Sequence, residues 1–424
     1  MARPLLLFYK VGGNPLKILV IGGGGREHAL VWKLAQHPGA EIYAAPGNPG
    51  IAQLATCVAT PDYLAAAESV HADLAIVGPE GPLAAGIVDQ FRAAGRLIVG
   101  PTAHAARLES SKAFAKDFMQ RAGIPTAHSV SVSTEAEALD ALRRFPLPVV
   151  IKADGLMAGK GVVIAHSKEE AGQAAAQLLA PGSQVVIEEF LAGEEASFIV
   201  LSDGTRVLPL EPSQDHKAVG DGDTGPNTGG MGAYSDGRVL TQSEIRQVMD
   251  RIIAPAIDLM RGDGVPFTGF LYAGLMLTAD GPKVLEFNAR LGDPETQALM
   301  HRLRSDFVPH LEAAAGGALG DTKLEWSSDP SVCVVMAAPG YPGNVRSGDA
   351  ITGVEAVEDA TVFYAGTKLV KNVLRTSGGR VLGVTASGPD LAAAIGKAYE
   401  GVSKIQFADM HYRRDIGQKG LKRW

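Results

Sequence analysis

Three segments concentrate residues suited to phosphate and charge. In "VVIKADGLMAGKGVVIA", Lys152 closes an apolar run, and Lys160 stands in a loop with Gly155, Gly159 and Gly161. A lysine at the end of a buried strand is badly placed for solvation, while glycines let backbone amides turn toward a ligand. Two lysines bracketing such a loop point to a nucleoside triphosphate; a hairpin with a charged tip is the plain alternative. In "VVIEEFLAGEEASF", Glu188 and Glu189 end a buried strand and Glu194 and Glu195 follow. Carboxylates so placed can accept from an adenine amino group or ribose hydroxyls, although a solvated loop has the same look. In "KVLEFNAR" a period of two turns Leu285 and Phe287 toward a core and Glu286 and Asn288 to the other face. One carboxylate and one amide oxygen so spaced suit Mg²⁺ whose remaining positions go to water and phosphate. The plain alternative is the polar face of an edge strand. Arg290, Asp293 and Glu295 follow in a polar turn that packing alone does not require.

A fourth segment, "KILVIGGGGREHAL", runs from an apolar strand through glycines into a helix. The dinucleotide fingerprint needs a third glycine, where Glu27 or His28 stands, and an acidic residue ending the next strand, where "EIYAAPGN" has Ala-Ala-Pro. NAD binding is therefore not expected. The turn still suits an anion, because helix-terminal amides attract phosphate and Arg26 adds a forked cation; a tight turn with a solvated arginine is the alternative.

The elements that must position these groups alternate. From Lys17 to about Pro101, the runs "KILVI", "EIYAA", "LAIVG" and "LIVG" intersperse with Ala-rich helical stretches, which predicts a doubly wound parallel sheet. Its loops "IGGGGRE", "APGNPG", "VGPEGP" and "VGPT" should converge at the strands' carboxyl ends. "SSKAFAKDFMQRAGIPT" predicts a capped helix, and the Lys152 segment a hairpin. The long irregular stretch "QDHKAVGDGDTGPNTGGMGAY" is of the kind that carries function. From about Asp329, β-type runs suggest a small closing α+β domain.

With 424 residues the chain should hold several domains. Its net charge of −7 argues against a nucleic-acid partner. No apolar run reaches the roughly 20 residues of a membrane helix, and Cys57 and Cys333 form no metal-type pair, so a reduced, cytoplasmic setting is expected.

Taken together these segments resemble the ATP-grasp superfamily and, within it, the glycinamide ribonucleotide synthetase (phosphoribosylamine–glycine ligase) family. The resemblance runs from about Lys17 to Ile416 through "GGREHAL", "APGNPG", "VGPEGPL", "LESSKAFAKDFM", "IKADGLMAGKGV", "VIEEFLAGEEASF", "SQDHKAVGDGDTGPNTGGMGAY", "GFLYAGLM", "KVLEFNARLGDPETQ", "FYAGT", "GGRVLGVTA" and "RRDIG". It departs from the family pattern at Met157, Ala218, Leu291 and the "DGR" that follows "AYS". The resemblance implies an α/β and α+β multidomain chain: a leader (1–16) outside it, a Rossmann-like N-terminal domain with linker (17–118), an ATP-grasp unit made of a mobile lid (119–190) and a central catalytic subdomain (191–328), and a small C-terminal domain (329–424). It implies ligation of glycine to 5-phosphoribosylamine with ATP and Mg²⁺ or Mn²⁺, in purine synthesis, by a monomer or weak dimer. Another ATP-grasp ligase or carboxylase is the alternative.

The implied roles follow residue by residue. Lys112 and Lys152 meet the ATP phosphates under a loop containing Gly159, Lys160 and Gly161. Glu188 faces the adenine amino group, the backbone of Glu189, Phe190 and Leu191 lines the base, and Glu195 takes the ribose. Glu286 and Asn288 hold the metal, and Arg290 orients the glycine carboxylate. Asp215, Lys217 and the amides of Thr228, Gly229, Gly230 and Met231 enclose the acyl phosphate. Gly24, Gly25, Arg26, Glu27, Gly47, Asn48, Pro79, Glu80 and Asp293 cradle the phosphoribosyl amine.

Overall fold

A computed structural model describes residues 15–157, 161–180 and 182–423; Gly159 and Lys160 lie outside the described residues. β-Branched runs build the first sheet, as their pleat-filling side chains favour. Its strands are β1 (Leu16–Gly22), β2 (Ala40–Pro46), β3 (Thr56–Cys57), β4 (Leu74–Val77) and β5 (Leu97–Val99), all parallel in the order β3-β2-β1-β4-β5. The doubly wound arrangement is the expected one. It brings the loops after β1, β2 and β4 to one end.

The second sheet is antiparallel, ordered β6-β9-β7-β8: β6 (Ser129–Val132), β7 (Val149–Ala153), β8 (Val162–Ala165) and β9 (Val185–Glu189). The hairpin expected around Lys152 is β7–β8. Thr134 and Ser167 cap the helices Glu135–Arg144 and Lys168–Leu178, each accepting from the amide three residues on. Ala138, Leu142 and Ala171 of these helices pack with Ile151 and Ile187 into a core of their own.

The third sheet is the largest. It contains β10 (Glu194–Asp203), β11 (Val207–Pro209), β12 (Ser213–Asp215), β15 (Gly232–Ser235), β16 (Thr268–Thr278), β17 (Gly281–Asn288), β18 (Ser331–Ala337), β19 (Thr361–Tyr364) and β22 (Arg380–Ser387). Two small hairpins, β13 (Ala218–Gly220) with β14 (Thr224–Asn227) and β20 (Thr367–Val370) with β21 (Val373–Thr376), stand beside it. The order is β17-β16-β10-β12-β15-β18-β22-β19, with β11 against β10. The sheet passes without a break from β15 to β18, across the boundary expected at 328/329. One apolar cluster likewise joins Leu19 and Phe91, Phe287, and Val384 and Ile395. The closing segment thus extends the central sheet instead of standing beside it.

The β16–β17 pairing changes one expectation. Leu275 opposes Val284 and Gly274 opposes Glu286, so Leu285 is an extra residue in a bulge. Phe287 enters the main core, whereas Leu285 packs with Ala127, Leu191 and Met276 on a separate wall. Glu286 and Asn288, opposite Gly274 and Tyr272, keep a common face. No helix among the described residues is long and apolar enough to cross a membrane.

Candidate active site

A cleft of about 640 Å³ lies between the β6-β9-β7-β8 sheet, β16–β17 and the loops of the first sheet. Its upper wall carries the lysines. Ser111 caps the helix Lys112–Arg121, and its hydroxyl donates to Asp154 Oδ2 (3.1 Å) while Lys112 Nζ donates to Gly155 O (2.9 Å). The lid loop is thereby tied to the helix that carries Lys112. Lys152, buried at the end of β7, and Lys116, one helical turn beyond Lys112, both ion-pair with Glu188 on β9. Burial works against ionising Glu188, yet the two ammonium groups outweigh it and hold the carboxyl below its usual range. Ala127, Leu191, Met276 and the bulged Leu285 form the apolar patch beside this triad.

On the floor, Lys217 Nζ stands 3.4 Å from Glu286 Oε1 and 3.5 Å from Glu195 Oε2. Lys217, with support from Lys152 and Lys112, overrides burial and lowers the Glu286 carboxyl to about 2. Burial alone would lower the Lys217 ammonium, but Glu286 and Glu195 raise it well above the usual value. Asn288 lines the same floor, its Oδ1 accepting from Arg290 Nη2 (3.2 Å). Among the described residues no three His, Cys, Asp or Glu side chains gather as metal ligands. An ionised carboxylate and an amide oxygen on one strand face fit a hard divalent cation that completes its shell with phosphate oxygens and water.

The inner end is a network of charges. Arg290 Nη2 lies 2.8 Å from Glu109 Oε1, its Nε is 3.4 Å from Glu80 Oε2, and its Nη1 donates to Leu291 O (3.2 Å). Burial opposes the Arg290 charge, but Glu109 and Glu80 outweigh it and raise its pKa. Burial also pushes the Glu109 carboxyl up, against the pull of Arg290. Nearby, Glu295 Oε1 accepts from Tyr272 (2.6 Å) and Ser197 (3.1 Å). Burial, and then the Glu295 charge, push the Asp215 carboxyl well above its usual range. Arg380 Nη2 pairs with Asp293 Oδ2 at 3.0 Å, and its Nη1 donates to Gly229 O and Asp293 O. The inner end thus sets the cations Arg290 and Arg380 among carboxylates, an arrangement suited to anions.

Sequence models of the phosphoribosylglycinamide synthetase N domain, ATP-grasp (A) domain and C domain match residues 16–109, 110–296 and 331–419. The chain belongs to the phosphoribosylglycinamide synthetase family. A phosphoribosylamine–glycine ligase of Escherichia coli O157:H7 is 52% identical over 426 residues, covering 96% of this chain and 99% of that protein. The crystal structure of the phosphoribosylamine–glycine ligase from Thermotoga maritima has a TM-score of 0.85 at 34% identity, covering 94% of this chain and 99% of its own. A biotin carboxylase from Campylobacter jejuni, crystallised as a β-γ-ATP complex, shares the fold: TM-score 0.70 at 15% identity, covering 96% of this chain and 95% of its own.

Within this synthetase-family chain the structure brings Lys112, Lys152, Gly161, Glu188, Glu189, Phe190, Leu191, Glu195, Asp215, Lys217, Glu286, Asn288, Arg290 and Asp293 to one cleft, with Arg26, Pro79, Glu80 and Gly229 on its rim or walls. Other expected residues are bonded or packed within the protein. Glu27 Oε2 accepts from Gly24 N at 2.5 Å and its Oε1 from Arg26 Nε at 2.6 Å, so this carboxylate fills the glycine turn expected to receive phosphate. Asn48 gives both amide hydrogens to Gly23 O and Tyr364 O and accepts from Gly50 N and Ile51 N, which leaves no donor for a ligand. Gly47 has φ +71°, and a Cβ there would strike Cys57 Sγ; a Cβ on Gly25 would strike Gln297. These glycines serve close packing. The amides expected to enclose an acyl phosphate are also engaged: Thr228 N to Lys217 O, Gly229 N to Tyr341 Oη, Gly230 N to Thr228 Oγ1 and Met231 N to His216 O. The Met231 side chain is in the core.

Sequence reasoning missed Lys116, Glu109, Tyr272 and Arg380. Lys116 follows Lys112 at i+4 on a helix already recognised, a spacing that places both on one face. Glu109 and Arg380 stand in quoted motifs ("LESSK", "GGRVLGV") but carried no assigned role.

Proposed function

We propose that this chain joins glycine to 5-phosphoribosylamine in the cytoplasm, converting ATP to ADP and phosphate through glycyl phosphate, as a step of purine synthesis. A free carboxylate does not acylate an amine in water, since oxide is a poor leaving group. Phosphorylation by the γ-phosphoryl of ATP supplies phosphate as the leaving group, and the sugar-borne amine then attacks the acyl carbon. Such transfer depends on charge neutralisation and alignment more than on covalent help.

The residues divide this work by position. Lys112 and Lys152 neutralise phosphate charge at the lid, while Leu191, Met276 and Leu285 receive the base and Glu195 the ribose. Glu286 and Asn288 would hold a divalent ion, Mg²⁺ or Mn²⁺, which when bound screens the phosphates and polarises the one transferred. Arg290 presents its guanidinium to the glycine carboxylate, held in register by Glu109 and Glu80. Lys217 steadies the charge that develops on the transferred group. Arg26 and Arg380 face the phosphate of the amine substrate. Closure of the cleft over the nucleotide excludes the water that would hydrolyse an acyl phosphate.

One observation carries this reading: an ionised Glu286 beside Asn288, Lys217 and Arg290 on the floor of a cleft whose roof is lined by lysines. The test is a coupled ADP-release assay with each substrate omitted in turn. ADP formation requiring both glycine and 5-phosphoribosylamine is the expected result. Steady turnover without glycine, or tight NAD binding with no ATP binding, would overturn it.

A further inference from the structure

The roof holds one more lysine than a single carboxylate needs. Lys116 pairs with Glu188 Oε2 and Lys152 with Oε1, and all three side chains are buried. Two ammonium groups on one carboxylate leave a surplus positive charge out of water, which is unfavourable until an anion joins them. The two lysines are anchored differently. Lys116 Nζ also donates to Thr126 Oγ1 (2.8 Å), and that hydroxyl donates to Val284 O (2.6 Å), where Thr126 and Val284 form an isolated parallel bridge. Lys116 is thus held through a hydroxyl that is itself tied to a backbone carbonyl outside the carboxylate pair. The other partner of Lys152 is Leu285 O at 3.2 Å, a carbonyl of the bulged residue on the cleft wall.

We propose that Lys116 is a positioning residue for ATP: the permanent counter-ion of Glu188, which releases Lys152 from that carboxylate to the incoming phosphates. The inference rests on the ATP reading above. With Lys116 in place, departure of Lys152 leaves one ammonium on one carboxylate, so the buried charge balances and Glu188 stays an ionised acceptor for the adenine amino group. Without Lys116, the same move would strand a buried carboxylate, the arrangement proteins tolerate least. Lys116 itself touches no reacting atom.

The test combines calorimetric titration with ATP alone and steady-state kinetics on the full chain, for wild type, Lys116→Met, Lys116→Arg, Glu188→Gln and the Lys116→Met/Glu188→Gln double variant. Lys116→Met should weaken ATP binding about tenfold or more, the scale of a lost charged hydrogen bond. The loss should fall on KM for ATP more than on kcat, with a parallel fall in discrimination against GTP. Lys116→Arg should recover most of it. In the Glu188→Gln background, Lys116→Met should add no further loss, because no charge remains to be balanced; this double variant also serves where the single one fails to fold. Wild-type ATP affinity in a folded Lys116→Met protein, or an equal loss with and without the Glu188 carboxylate, would overturn the proposal. A wild-type protein that binds no ATP would instead sink the functional reading on which it stands.

Discussion

The glycine turn Gly22–Glu27 and the cleft floor around Glu286 are both dense in polar groups, and their partners differ in kind. At the turn, Glu27 bonds Gly24 N and Arg26 Nε at 2.5 and 2.6 Å and is buried, as is Asn48 with its amide wholly engaged. On the floor, Lys217 stands 3.4 and 3.5 Å from two carboxylates that are both more than a third exposed. At the turn, short bonding that satisfies every group holds the chain in shape. Longer, shared and half-open pairing marks charges that can change partners when a ligand arrives. Residue type alone does not separate the two: a glycine-rich turn with an arginine resembles a phosphate site until its own carboxylate is placed inside it.

Four variants can break or sharpen that contrast. The largest effect belongs to Glu286→Ala with Asn288→Ala, expected to lower ADP release about a thousandfold or more by removing the oxygens proposed for the metal. Circular dichroism should report an intact fold, and near-normal turnover would end the metal assignment. Next, Arg290→Lys keeps the charge but loses the forked geometry, and should cost on the order of a hundredfold in kcat/KM for glycine. An effect confined to KM for ATP would move Arg290 out of the glycine subsite.

Asp215→Asn should lower activity about tenfold yet leave the protein more stable at pH 8 than wild type. The folded-state pKa of Asp215 is raised, so its protonated form suits the fold. That contribution is full below the unfolded carboxyl pKa and is lost as pH rises through the folded value, which an uncharged amide avoids. Melting curves at pH 5 and pH 8 read this directly; a gap between the two proteins that does not widen with pH would contradict it. Glu286 has the opposite sign: lowered to about 2, its contribution is present above the unfolded value and fades only as pH falls toward 2.

The smallest effect on catalysis is expected at the turn. A Cβ on Gly78 would collide with Glu27 Oε1. Gly78→Ala should therefore destabilise by about 1–3 kcal/mol, as overpacking does, with KM for 5-phosphoribosylamine unchanged. Urea unfolding measures the first quantity and initial rates the second. A large rise in KM for 5-phosphoribosylamine without loss of stability would reverse the contrast drawn here.

Much of this architecture was readable in the residues. Alternating β-branched runs and Ala-rich helices specify the parallel sheet, and the Lys152 hairpin follows from apolar runs flanking glycines. The absent third glycine argues against NAD, and Glu27 stands at that position, bonded to Gly24 N and Arg26 Nε. What escaped involves long separations or single-residue shifts. The bulge at Leu285 breaks a period-two reading that no local residue flags. The β15–β18 pairing joins segments about a hundred residues apart, so the continuity of the large sheet has no local signature. Lys116 and Glu109 look like ordinary helix residues until Glu188 and Arg290 arrive from distant strands.

That continuous sheet has a practical consequence for anyone cutting the gene. Severing the polypeptide near residue 328 would strip the neighbour from Gly232–Ser235 and leave a row of bare amides and carbonyls in the middle of the molecule. Such a raw margin templates pairing with other copies. A shortened version ending there should precipitate instead of behaving as a smaller enzyme.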